Sequence, residues 1–304
     1  MASDIEWELY RAFLGVLREG SLSGSARALG VAQPTVGRHV AALEKALGLV
    51  LFTRSQTGLL PTEAAFALRP HAETMESTAA ALERTASGLR DGAGSVAGTV
   101  RISVSEVVGV EVMPAIVADL AQRHPALKVE LVLSNRVHDL LQREADIAVR
   151  MTAPRQEQLV ARRIGAIELG LHAAPAYLAR RGAPATLADL GNHALIGYDR
   201  PTPFVRQAAK ALPGFTRDRF ALRTDSDVAQ LALIRAGAGI GVCQVPLAMR
   251  APALVRVLPD AFAFRLDTWV TMHEDLRASP HCRIAFDALA AGLEDYTGGA
   301  RSAP

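Results

Sequence analysis

From Ile5 to Leu17 the apolar residues Ile5, Leu9, Phe13 and Val16 return every three or four positions, which predicts a helix with one buried face. Gly20 marks its end. The next stretch, SLSGSARALG, repeats the pattern on a smaller scale: Ser21 or Ser23 caps a short helix, Ala26 and Leu29 face inward, and Gly30 supplies a turn. A third helix follows in AQPTVGRHVAALEKALG, residues 32–48, with Val36, Val40, Leu43 and Leu47 as its inward stripe. Pro34 falls in its first turn, where a missing N–H costs nothing. Three short helices with a glycine turn between the second and third predict a helix-turn-helix. Gln33, Thr35 and Arg38 then stand on the outward front of the third helix, where Gln and Arg can make paired hydrogen bonds to base edges in a major groove.

After Gly48, LVLFTRSQTGLLPT has two apolar runs around a polar, glycine-bearing turn and predicts a small β-hairpin, or wing. Arg54 at its near end suits a phosphate, as does Arg27 on the second helix; such contacts orient a protein on DNA without choosing sequence. From Thr62 the helical period resumes. Leu68, Ala72, Met75, Ala79, Leu82, Ala86 and Leu89 alternate spacings of four and three, a heptad seam that predicts a dimerising linker helix. Pro70 weakens the early part of that seam, and packing of the helix on its own domain is the other reading. DGAGSVAG, residues 91–98, reads as a flexible hinge.

Beyond the hinge, strand-like runs (TVRISV, KVELVL, DIAVR, LGLHAA, ALIGY, FALRT, GIGVCQ, TWVTMH) alternate with helical stretches, which predicts an α/β domain of mostly parallel strands. Such sheets bind ligands beyond the carboxyl ends of their strands. Ser105, Ser134, Asn135, Tyr198, Asp225 and Ser226 all follow predicted strands, so they are expected to line one cleft, although Ser and Asp before helices are also ordinary caps. Ser105 before a helix suggests an anionic ligand. Arg150, after DIAV, would pair with a carboxylate ligand or sit in a surface ion pair.

Composition narrows the function class. A chain of 304 residues, half of them hydrophobic, can bury two domain cores. No window is apolar over the roughly 18 residues that a membrane span needs, and the acidic, amphipathic start does not resemble a secretory signal, so a cytoplasmic protein is expected. Cys243 and Cys282 are too few and too distant for a disulfide scaffold. The net charge of +2 means that any DNA contact must come from a local patch. No cofactor or metal is expected, because the eight histidines show no ligand spacing. Neither a GxSxG elbow nor a phosphate loop is present, and GAGIG follows a helix and opens a strand, the reverse of a dinucleotide fingerprint. Catalysis is not expected.

The segment GSLSGSARALGVAQPTVGRHVAALEKALGLVLFTR, followed by LPTEA, resembles the DNA-binding signature of the LysR-type transcriptional regulators. LLQREADIAVR, LVARRIG, AAPAYLARRG and GAGIGVCQVP fall in the order of that family's effector domain. The resemblance implies a winged helix-turn-helix over 1–62, a linker helix over 63–91, a hinge over 92–98, and a periplasmic-binding-protein-like α/β effector domain over 99–304. The last would contain two Rossmann-like subdomains, about 99–166 with 268–293 and about 167–267. Implied partners are double-stranded operator DNA, a small-molecule effector, a second or further copies in a homodimer or homotetramer, and RNA polymerase. Ala32 stands where the family often has a serine cap, Gly37 where a serine often follows the valine, and the wing tip SQTGL lacks basic residues, which shifts DNA affinity toward Arg38 and Arg54. The resemblance places Pro34 with Gln33, Thr35, Arg38, Arg54 and Arg27 among the DNA-binding residues; the competing reading is a solute-binding or redox-sensing α/β protein whose N-terminal helices serve only oligomerisation.

Overall fold

The computed structural model describes residues 5–55, 58–90, 96–135, 145–154, 159–200, 205–206, 212, 215–250 and 252–298. The chain divides into two compact units, one built on the chain up to Glu83 and the other beginning at Arg84.

The first unit contains α1 (Trp7–Glu19), α2 (Leu22–Leu29), α3 (Gln33–Leu47), the hairpin β1 (Phe52–Ser55) and β2 (Gly58–Pro61), and most of α4 (Glu63–Arg90). Gly20, Gly30 and Gly48 close the first three helices with φ of 65°, 68° and 68°, a left-handed conformation that costs glycine little. Ser21 caps α2 by accepting from Gly24 N at 3.1 Å, whereas Ala32 gives α3 no side-chain cap. Val36, Val40 and Leu43 of α3 pack with Phe13, Leu14, Ala26, Leu51 and Phe52 to form the core. Phe52 pairs with Pro61 and Ser55 with Gly58 across the antiparallel wing.

The seam expected along α4 divides in two. Leu68 and Ala72 pack against this unit's own core, Ala72 being almost wholly buried, so they do not belong to an open stripe. Met75 and Leu82 are exposed, Ala79 is half-buried and Ala86 is exposed; the side chain of Leu89 lies outside the described residues. Pro70 is accommodated inside the helix. Of the expected hinge, residues 91–95 lie outside the described residues.

The second unit runs β3 (Gly98–Val104), α5 (Glu106–Glu111), α6 (Met113–Arg123), β4 (Leu127–Leu133), β5 (Ile147–Arg150), β6 (Leu159–Ala173) and α7 (Pro175–Arg181). It continues through β7 (Leu195–Gly197), β8 (Phe220–Arg223), α8 (Asp227–Arg235), β9 (Gly241–Gln244), α9 (Val245–Ala248), β10 (Val255–Val257), β11 (Phe264–His273) and α10 (Pro280–Gly298). The main sheet has the order β10-β6-β11-β5-β3-β4, with β9 also paired to β6, and β7 and β8 form a separate parallel pair.

This sheet is mixed, which corrects the expectation of mostly parallel strands. Only β4–β3–β5 is parallel within it; β11 runs antiparallel to β5 and β6, and β9 and β10 run antiparallel to β6. The long strands β6, of 15 residues, and β11, of 10 residues, lie side by side in antiparallel register and carry the sheet through two successive cores. Ile167 and Leu169 of β6 belong to the core of the first lobe, with Val100, Ile102, Ile147 and Phe286. Leu171 and Ala173 belong to that of the second lobe, with Tyr177, Phe220 and Ile240.

Candidate nucleic-acid interface and ligand cleft

At the front of α3, Gln33, Pro34 and Arg38 are exposed and Thr35 is half-buried, while Val36 and Val40 are buried on the opposite face. Helical geometry turns Pro34 and Arg38 away from the 36–40–43 stripe, whereas Gln33 shares that stripe's spacing and is exposed because it is the first residue of the helix. Arg38 reaches no acid among the described residues; its contact is Nη2 donating to Thr35 Oγ1 at 3.4 Å. Arg27 on α2 and Arg54 on β1 are likewise exposed. Glu44 braces the start of the wing by accepting from the backbone N–H of Leu51 and Phe52 at 2.7 and 3.2 Å.

In the second unit the strand-end residues converge. Asn135, beyond β4, accepts from Glu106 N at 3.1 Å through Oδ1 and donates to Asp227 Oδ2 at 3.0 Å through Nδ2. Tyr198, beyond β7, donates to Asp227 Oδ1 at 2.5 Å. Ser226 caps α8 and donates to Glu106 Oε2 at 3.2 Å. Residues from the first lobe (Glu106, Asn135) and the second (Tyr198, Ser226, Asp227) thus meet in one network. Asp225 sits beside it, accepting from Asp199 N and Arg200 N at 3.1 and 2.9 Å. Ser105 is the N-cap of α5 without a side-chain cap bond, and Ser134 donates its backbone N–H to Val104 O.

Arg150 is buried at the end of β5, level with Ser105 at the end of β3, and donates to Ser103 Oγ at 2.7 Å and Val149 O at 3.0 Å, so it is not in a surface ion pair. Glu106 and Asp227, which the sequence reading passed over, are the charged members of the cleft. Their signal was present: each is the first helical residue after a strand-end serine, one position beyond Ser105 and Ser226. Burial raises the Asp227 carboxyl above its ordinary range, and the neighbouring Glu106 charge adds to it, against the Tyr198 and Asn135 hydrogen bonds. Burial and the Asp227, Glu106 and Asp225 charges push the Tyr198 hydroxyl up as well. Among the described residues, the charged members of this network are the carboxylates of Glu106 and Asp227.

Residues 7–66 match the model of the bacterial regulatory helix-turn-helix protein, lysR family, and residues 93–294 match that of the LysR substrate binding domain. The chain belongs to the LysR family. Among curated relatives of this LysR-type regulator, PtxR of Pseudomonas aeruginosa is 30% identical over 258 residues, 82% of this chain and 80% of the relative. A regulator from Xanthomonas campestris is 30% identical over 185 residues, 60% of this chain but 52% of that protein's length. The fold is also that of CrgA, a LysR-type regulator from Neisseria meningitidis, with TM-score 0.57, 21% identity and coverage of 94% of this chain and 98% of CrgA. CbnR in complex with its target DNA superposes with TM-score 0.66 at 20% identity, covering 94% and 99% of the two chains.

Burial pushes the Cys243 thiol up to about 12 and that of Cys282 up to about 11, so neither is a ready thiolate and the redox reading is not favoured. In the first unit, Trp7, Thr74, Met75, Thr78, Ala79 and Leu82 line an open apolar groove of about 370 Å³ between α1 and α4. Among the described residues no helix is long and apolar enough to cross a membrane.

Proposed function

We propose that this regulator reads a DNA operator with Gln33, Thr35 and Arg38 of α3, that Pro34 sets the entry of that helix, and that Arg27 and Arg54 hold flanking phosphates. The observation that carries the reading is the exposed polar front of a helix whose opposite face is locked into the core by Val36, Val40 and Leu43. In this reading Ser105, Ser134, Asn135, Tyr198, Asp225 and Ser226 line the effector cleft, with Arg150 as a buried support. Effector binding acts by differential affinity for two arrangements of the two lobes. The domain boundaries are those given by the sequence: 1–62, 63–91, 92–98 and 99–304. The protein is a non-catalytic, cytoplasmic transcription factor whose output reaches RNA polymerase.

A second copy of the chain is the partner we assign to the rest of the expected seam, Met75, Ala79, Leu82, Ala86 and Leu89. The exposure of Met75 and Leu82 beside an apolar groove supports that assignment. The test of the whole reading uses the full chain to select binding duplexes from a random pool and then measures affinity against salt. A specific site bound with a steep fall of affinity with rising salt is expected, from released counterions. Binding without sequence preference, or none, sinks the reading. Leu82→Glu should shift the assembly toward monomer in sedimentation.

A further inference from the structure

We propose that Glu44 is a positioning residue for DNA binding: through the backbone N–H groups of Leu51 and Phe52 it fixes the placement of the wing against α3, and so the place of Arg54. The proposal rests on the reading of Arg54 as a phosphate contact and adds the residue through which that contact is held.

The wing cannot hold itself. Its strands have four residues each, and a two-stranded ribbon of that length is marginally stable at best in water, so its placement comes from what it is tied to. Glu44 ties its entry: one carboxylate oxygen, Oε1, accepts from Leu51 N at 2.7 Å and from Phe52 N at 3.2 Å, the latter two residues before Arg54. Thr62, just before α4, holds the same segment by its carbonyls, its N–H donating to Leu51 O at 2.9 Å and its Oγ1 to Val50 O at 2.8 Å. Leu59, the cross-strand partner of Arg54, donates to Gly20 O at 3.0 Å. Gly58 beside it, at a φ of 137°, leaves no room for a Cβ, which would lie 2.7 Å from Gly20 O. Of these anchors, the one made by a side chain of the reading helix is Glu44.

Helix stability does not account for an acid at this position. Glu44 lies in the last turn of α3, where the macrodipole disfavours negative charge and favours a residue such as its neighbour Lys45. Nor does attraction to DNA, which a carboxylate on this domain opposes. What the carboxylate gains is the pair of N–H donors, since hydrogen bonds to an ionised acceptor are roughly twice as strong as neutral ones.

The test measures the affinity of the full chain for a duplex selected from a random pool, across salt from about 50 to 200 mM. Glu44→Ala should bind roughly tenfold more weakly and lower the salt slope by about one, as the loss of one phosphate contact does. On that background Arg54→Ala should cost less than about twofold more, because the contact it removes is already lost. Glu44→Gln keeps an oxygen at the accepting position and sheds the charge, so it should bind within about threefold of the wild type or more tightly. If Glu44→Ala does not melt cooperatively, Glu44→Asp, one methylene shorter, carries the same expectations. A weaker affinity with an unchanged slope is what a partly unfolded domain gives, and overturns the proposal. So does Glu44→Ala binding as tightly as the wild type, or effects of Glu44→Ala and Arg54→Ala that add in full. If Arg54→Ala alone leaves the slope unchanged, the phosphate reading of Arg54 falls and the proposal with it. If Arg54→Ala lowers the slope and Glu44→Ala does not, that reading stands and only the role of Glu44 falls.

Discussion

The N-terminal domain leaves the polar side chains at the front of α3 open to solvent, whereas the C-terminal domain engages its own with one another. Gln33 and Arg38 are exposed and Arg38 has only a long contact to Thr35. In the second domain Arg150, His172, Gln230, Gln244 and Thr271 are buried, each with a hydrogen-bond partner. The difference follows from what each surface meets. A base-reading face needs donors and acceptors that lose little by exchanging water for a base edge, while a cleft between lobes must satisfy its polar groups before a ligand arrives. Substitutions should therefore cost binding in the first domain and folding in the second.

The strongest test of that contrast is Asp146. Its carboxylate is paired bidentately with Arg84 at 3.0 and 3.2 Å, the two side chains only 7% and 10% exposed, and it accepts from Arg101 N at 2.8 Å. Asp146→Ala leaves a buried guanidinium and an N–H without that acceptor, and should destabilise the second domain by about 3–5 kcal/mol in urea unfolding. A loss under about 1 kcal/mol would break the comparison at its stronger side. Next in size is acid sensitivity through His172. Burial lowers its imidazole to about 4, while its Nδ1 lies 2.9 Å from Gly170 O. The unfolded chain binds a proton near its ordinary pKa of about 6.5, so stability present above that pH is lost progressively as pH falls toward about 4, by roughly 3 kcal/mol. Asp227, whose carboxyl is raised, works in the opposite sense, favouring the folded state as it becomes protonated. Unfolding at pH 7 and pH 4.5 should show the loss in the wild type and a smaller one in His172→Asn; equal losses in both would remove His172 from the account.

How much of this could be read from the sequence differs between the domains for the same reason. The three helices of the first domain are bounded by Gly20, Gly30 and Gly48 and carry a 3.6-residue stripe, both local signals, so the helix-turn-helix and its outward residues follow from residues close in sequence. Strand direction is not local. Nothing within β6 or β11 states that each pairs antiparallel with the other, and the three-residue β10 is too short to show a period. Leu68 and Ala72 fitted a heptad because a helix that packs on its own domain and one that packs on a partner share that spacing at their junction. Glu106 and Asp227 by themselves carry no such signal in the sequence, because an acidic first turn is ordinary helix chemistry; only the convergence of the two lobes brings them into one network.

On the first domain's side, Arg38→Ala should weaken binding to a selected operator by roughly 1–3 kcal/mol and relax preference at one base pair, if the guanidinium holds a base edge. Arg54→Ala should weaken binding to all duplexes alike and reduce the salt slope by about 1. Neither should move stability by more than about 0.5 kcal/mol, since both side chains are exposed. Stability and binding measured on the same variants would sharpen the contrast. A variant that unfolds more easily while keeping its operator would reverse it.

The smallest effect concerns Gly37, within α3 itself. A Cβ there would meet Leu22 Cδ1 at 3.6 Å, ordinary van der Waals contact, and no positive φ holds the position open for glycine. Gly37→Ala should therefore stabilise the first domain by about 0.5–1 kcal/mol, through reduced freedom of the unfolded chain and better helix propensity. Gly15 is the control: its Cβ would come within 2.4 Å of Ser25 Oγ where α1 crosses α2, so Gly15→Ala should destabilise instead. Because Gly37 adjoins Arg38 yet makes no bond through a side chain, the stabilised variant should hold its operator as tightly as the wild type. A fall in specific affinity without a fall in melting temperature would show that the reading face needs the looser helix, and that its openness extends from the side chains to the backbone.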